Sequence, residues 1–192
     1  MPRQKSKPYH HGDLREEVLR LALASLETSP PEALTLRGLA RQAGVSPMAL
    51  YRHFADREAL LVALASAGFD DLGKRMNAVD QVRDARAALA ALGTAYVQFA
   101  VERPSLFRLM YGGKPPKTPT TPGEAPHPGY AALSRRITQL AKADERDIAF
   151  LASWSLVHGL ATLLVTERIR EPIADPVAVA EQVCRFFVGA FR

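Results

Sequence analysis

Three features of the sequence predict an all-α protein, with a head of three short helices ahead of a helical-bundle body. Apolar residues recur at helical spacing nearly throughout the 192 residues, and no stretch alternates convincingly as a half-buried strand would. Cap and stop signals crowd the first quarter, cutting it into short helices before one longer one. A single proline-rich break, residues 112–129, interrupts the otherwise helical remainder.

Local signals justify each element in turn. Asp13, with Glu16 three residues on, makes a D-x-x-E capping box for a first helix whose inward stripe is Leu14, Val18, Leu19, Ala22 and Leu26. Ser29-Pro30-Pro31 stops it, because proline has no amide to give and disfavours helix in the residue before it. Thr35 caps a second helix over 36–43, with Leu36, Leu39 and Ala40 inward, and Gly44 is placed to end it in a left-handed conformation. Ser46-Pro47 supplies a cap and then a proline at the first helical position for a third helix over 47–53. Asp56 caps a long helix over 57–76. Beyond Asp84 the pattern gives a helix to about 103, a short segment over 106–111 and, after the break, helices over 130–140, 145–170 and 176–191.

Composition narrows the function classes. Hydrophobic residues make up 47% of the chain, enough for a substantial core. A net charge of +5 suits a polyanionic partner without requiring one. Arg3, Lys5 and Lys7 precede the first acid, Asp13, and form either an arm for phosphates or a solubilising tail. The longest apolar stretches, such as 59–65 and 160–165, fall short of the roughly 18 to 20 residues of a membrane span. The basic start leads into no secretory h-region. One cysteine, Cys184, permits neither an intrachain disulfide nor a zinc-ligand pattern. The expectation is a cytoplasmic protein with no cofactor, no metal and no membrane association.

Residues 35–61, TLRGLARQAGVSPMALYRHFADREALL, carry the functional signal. Two short helices about a turn at Gly44 have the helix-turn-helix geometry, in which one helix enters the major groove of double-stranded DNA while the other braces it. With Leu39, Ala40, Val45, Leu50 and Phe54 as a small core, the same period leaves Pro47, Met48, Ala49, Tyr51, Arg52 and His53 largely outside. A merely solvated face would carry Glu and Lys there. Tyr51 and His53 can donate to phosphate or a base edge, and Arg52 suits phosphate or guanine.

On these residues the stretch from Tyr9 to Asp71 resembles the TetR/AcrR family of bacterial transcriptional regulators, through TLRGLARQAGVS, LYRHF and DREALL. The resemblance implies a sequence-specific DNA-binding regulator rather than an enzyme, in the mode of a repressor that acts as a homodimer and leaves its operator when a small-molecule effector binds. It implies DNA-facing positions at Thr35, Ala49, Tyr51, His53 and Arg57, the last standing where members commonly have a phosphate-contacting Lys. Ala49 replaces the commoner Thr, so only apolar contact, for example to a thymine methyl, remains there. YHHGDLR and SWSLVHG are similar to a subgroup with a C-terminal Trp-x-x-x-His-Gly element. The implied division is a DNA-binding head over 1–57, including the basic arm, and a ligand-binding and dimerisation body over 58–192 with the 112–129 loop.

Within the body, Trp154, Val157, His158, Ala161 and Leu164 fall on neighbouring faces of one helix. With Phe99, Phe107, Met110 and Tyr111 they suggest an effector pocket in which His158 orients the ligand. The alternative makes Trp154 core and His158 a satisfied buried histidine, with Gly159 allowing close helix approach. The last two helices carry more apolar surface than one buried stripe uses, Phe150, Leu151, Leu156, Leu160, Leu163 and Val165 on one and Val177, Val179, Val183, Phe186, Phe187 and Phe191 on the other, which points to a two-fold dimer. His10-His11 lacks the further ligands a metal needs. A second Glu-x-x-His motif to complete a helical pair, a G-x-S-x-G elbow and a phosphate-binding glycine loop are all missing, so catalysis has no support. A non-specific architectural DNA binder would account for the basic arm but leave the body without a role.

Overall fold

The computed structural model describes residues 11–112, 128–169, 173–189 and 191. Among these the chain forms nine α-helices, two single turns of 3-10 helix and no strand. The helices are α1 (His11–Thr28), α2 (Leu36–Gln42), α3 (Pro47–Tyr51), α4 (Arg57–Val79), α5 (Ala85–Glu102), α6 (Pro104–Gly112), α7 (Pro128–Leu140), α8 (Arg146–Val165) and α9 (Pro176–Val188). The basic arm, His10 and most of the 112–129 break lie outside the described residues, as do the side chains of His11 and Asp13. The chain divides into two compact units, one reaching to Ala65 and the other starting at Ser66.

In the first unit the expected caps form. Thr35 Oγ1 accepts the Gly38 amide at 3.0 Å, Ser46 Oγ accepts that of Ala49 at 3.3 Å with Pro47 following it, and Asp56 Oδ1 accepts that of Ala59 at 2.7 Å. Gly44 has φ +68° and nothing within 4 Å of an added Cβ, so conformation rather than space demands glycine there. Leu14, Val18, Ala22 and Leu26 of α1 are buried with Leu39, Ala40, Leu50 and Phe54; Leu19 and Val45 are half-buried. A 3-10 turn over Pro31–Ala33, not foreseen from the sequence, lies between α1 and α2 in the chain and buries none of its residues. The turn follows from the two prolines, which bar α-helix but fit a single tight turn.

In the second unit α5 is central, packed on α7, α8 and α9. Its approach is close at Gly93, where a Cβ would meet Cys184 Sγ at 2.7 Å and Val157 Cγ1 at 3.0 Å. Asp80, just past α4, is buried against Arg135 and Arg136 of α7. Arg136 Nε donates to its carboxylate at 2.5 Å, and Arg136 Nη2 donates to the carbonyls of Asp80 and Val82 at 2.6 and 3.0 Å. Burial opposes ionisation of Asp80, but the two guanidinium groups outweigh it and hold the carboxyl below its ordinary range.

Two expectations are corrected here. The helix expected over 145–170 ends at Val165, because Glu167 takes a left-handed φ of +53° and the Arg168 and Glu167 amides close back on Leu163 and Leu164. No glycine marks that stop in the sequence. Second, the stretch Ala143–Val165 is long and apolar enough to cross a membrane by length and composition, with mean hydropathy 1.8. Judging by short apolar stretches missed it, because scattered Ser, Thr and His divide the helix without lowering its average hydropathy much.

Candidate DNA-reading surface and effector cavity

The first candidate site follows from the caps of α2 and α3. Leu50 and Phe54 anchor α3 inward, which turns the rest of the helix out: Met48 is 68% exposed and Tyr51 45%, Pro47 and Arg52 are exposed, and Ala49 and His53 are half-buried. Thr35 is also exposed, its hydroxyl oxygen occupied as the cap of α2. The surface thus combines thioether, phenol, guanidinium and imidazole groups, which are suited to base edges and phosphates.

Arg57 stands differently. Its Nε donates to the Leu34 carbonyl at 2.9 Å and its Nη2 to that of Pro31 at 2.7 Å, so it braces the unforeseen 3-10 turn against the start of α4. The planar fork makes both bonds at once, which a lysine does not. Arg15 lies over the Phe54 ring at 5.5 Å, a second cationic group fixed on the core of this unit.

The second candidate site lies wholly in the second unit. A cavity of about 180 Å³ is lined by side chains including Leu92 and Tyr96 of α5, Tyr111 of α6, Tyr130 and Leu133 of α7 and Trp154 of α8. No Asp, Glu, Lys or Arg is among its described lining residues. Of the six residues expected to form an effector pocket, Tyr111 and Trp154 line it. His158 stands just behind: its Nδ1 is 2.8 Å from the Tyr96 hydroxyl, and its ring is 4.7 Å from that of Tyr111. Phe99, Phe107 and Met110 are instead core. Phe99 is fully buried beneath the Arg75 guanidinium at 5.5 Å, Phe107 is buried beside the ring of Tyr96, and Met110 fills the space over Gly68. Gly159 has nothing within 4 Å of an added Cβ, so it does not serve close helix approach among the described residues.

Burial sets the protonation of the site. It lowers the affinity of His158 for a proton, and it raises the phenols of Tyr96 and Tyr111 above their ordinary range. The Cys184 thiol, also in the lining, is pushed up to about 11 by burial. At neutral pH these groups are all uncharged. Tyr96, Tyr130 and Leu92 were missed by sequence reading. For Tyr96 a signal existed: a tyrosine on so apolar a helix needs a partner for its hydroxyl, and His158 is a polar group similarly placed on α8. Among the described residues no group of three or more His, Cys, Asp or Glu side chains is arranged to hold a metal.

Comparison with known proteins bears on both units. Residues 18–64 match the profile of bacterial regulatory proteins of the tetR family, and residues 89–187 that of the tetracyclin repressor-like C-terminal domain. A Mycobacterium tuberculosis protein described as an uncharacterized HTH-type transcriptional regulator is 27% identical over 182 residues, 93% of this chain and 82% of its own length. The nucleoid occlusion factor SlmA of Idiomarina loihiensis is 35% identical over 99 residues, and the match spans 51% of this chain and only 50% of that protein. Among solved structures, a Rhodococcus protein of unknown function superposes with a TM-score of 0.75 at 35% identity, covering 97% of this chain and 100% of its own. An Acinetobacter baumannii TetR variant in complex with minocycline gives a TM-score of 0.64 at 22% identity, with 91% and 93% covered, and shares the fold.

Proposed function

Since the chain belongs to the TetR family of DNA-binding transcription regulators, which are not enzymes, we propose that it is a homodimeric cytoplasmic repressor released from its operator by a small molecule. The observation that carries the DNA-reading part is the outward face of α3, where Met48, Tyr51 and Arg52 are exposed over a helix anchored by buried Leu50 and Phe54. Residues 1–57 act as the reading head. Tyr51 and His53 read base edges, Arg52 neutralises a phosphate, and Pro47, Met48 and Ala49 offer apolar contact to thymine methyls. Thr35 meets the backbone beside the cap of α2. Arg57 serves the same surface by fixing the turn behind it, its charge adding to the field felt by the phosphates.

Residues 58–192 act as the sensor and dimerisation body. The homodimer reading rests on α8 and α9, where Ile148, Leu151, Leu163 and Phe186 are exposed, the last at 89%. A second copy covering the same patch gives an isologous contact. A membrane in its place would require α8 to leave α5, against which Val157 is packed at Gly93. Of the subgroup element, Trp154 supplies a wall of the effector site and His158 backs it through Tyr96, with Tyr111 beside them. Selection from random-sequence DNA by the full-length protein tests the function. Enrichment of a two-fold symmetric site with half-sites about 34 to 36 Å apart, or a multiple, is expected. Recovery of no preferred sequence would contradict it.

A further inference from the structure

The geometry points to a neutral single-ring hydrophobe carrying one hydroxyl or N–H donor, a phenol in type, as the ligand of the cavity at Tyr111 and Trp154; this rests on the effector-site reading above. Size is the first argument. An apolar cavity of about 150 Å³ accepts benzene, and drug-sized ligands need roughly 300 Å³ or more. At about 180 Å³ this one takes a ring with a short substituent.

Charge is the second argument. None of the described lining residues is an acid, a lysine or an arginine, so an ionic ligand would be stripped of water with no counter-charge to meet. The titratable groups around it, Tyr96, Tyr111, His158 and Cys184, are shifted in the directions that keep them neutral.

The direction of the hydrogen bonds is the third. Tyr96 lies 2.8 Å from His158 Nδ1, and a neutral imidazole with its proton on Nε2 accepts the Tyr96 O–H there. The Tyr111 ring stands beside this pair, 4.7 Å from that of His158 and 6.3 Å from that of Tyr96. Ser153, a buried lining residue, donates its hydroxyl to the Ala149 carbonyl at 2.7 Å. The Tyr96 and Ser153 hydroxyl protons are directed into the protein, and the Ser153 and Tyr111 hydroxyl oxygens have lone pairs to offer the cavity. A ligand that donates is complementary to them.

Trp154 is the sole tryptophan of the chain and lines the cavity, so its fluorescence reports occupancy directly. The full-length protein is titrated with 4-propylphenol, propylbenzene, 4-propylbenzoate and 4-propylbenzylammonium, with calorimetry alongside. The phenol is expected to bind about tenfold tighter than the hydrocarbon and about a hundredfold tighter than either ion. Tyr111→Phe should cut the phenol's advantage severalfold while leaving the hydrocarbon unchanged. An ion binding as tightly as the phenol, or no probe perturbing Trp154, would overturn the proposal. Operator affinity is measured separately: tight phenol binding without operator release upholds the ligand chemistry and overturns the sensor reading instead.

Discussion

Arg52 and Arg57 are neighbours in sequence but are expected to fail differently when truncated. Arg52 is exposed on the reading face, so Arg52→Ala should weaken DNA binding and lower the salt slope by about one unit, with stability unchanged. Arg57→Ala removes two hydrogen bonds to the Pro31 and Leu34 carbonyls and should cost about 1–3 kcal/mol of stability, read as a lower urea midpoint. Identical salt and urea profiles for the two variants would deny Arg57 its bracing role. Gly44→Ala forces a Cβ into φ +68° and should cost about 1–2 kcal/mol although the site is open. Gly44→Asn should cost less, and equal losses would mean that space rather than conformation is limiting. His158 gives a pH dependence. Burial puts its folded proton affinity below the ordinary value of 6.5, so the folded chain binds fewer protons than the unfolded one. Its contribution is present above about pH 6.5 and is lost as pH falls through the folded value. His158→Gln should flatten the stability profile over that window, and an unaltered profile would sink the assignment.

At the scale of elements, α8 and α9 carry the clearest unmet demand. Their exposed apolar side chains imply a partner, and sedimentation of the full chain at micromolar concentration should give a dimer. Phe186→Asp should shift it towards monomer without unfolding it, since the side chain is 89% exposed in the single chain. A monomeric wild type would remove the dimer from the account. Much of the helix order was legible because the caps are local: Thr35, Ser46 and Asp56 each accept the amides their positions predict. The ends went astray where nothing local marks them. Glu167 adopts a left-handed conformation usually left to glycine, and Pro31–Ala33 closes into a turn that the prolines permit but do not announce. The cavity was legible only in part. Helical spacing brought out Trp154 and His158 on α8, whereas Tyr96, Tyr130 and Leu133 reach the site from α5 and α7 by tertiary packing. Nor does a sequence separate a bulky core residue such as Phe99 from a lining one such as Tyr111, since both are aromatic on an inward face.

For the molecule as a whole, the proposed function requires a ligand in the body to act on DNA at the head, and α4 is the element we propose carries that coupling. Its first turn carries Arg57, its later turns carry Leu72 and Met76 of the cavity lining, and the Asp80 cluster ties the residue beyond its end to α7. A ligand that prefers the released state by about a hundredfold shifts the balance by about 2.7 kcal/mol, enough to empty an operator held by a mild bias. Trp154→Ala should then abolish the effector response while sparing ligand-free operator binding. The most direct test of the central claim, that the outward face of α3 reads DNA sequence, is to measure the affinity of wild type and Tyr51→Ala for the selected operator and for random DNA at one salt concentration. The account predicts a loss of about tenfold or more on the operator and less than about twofold on random DNA; equal losses on both would contradict it.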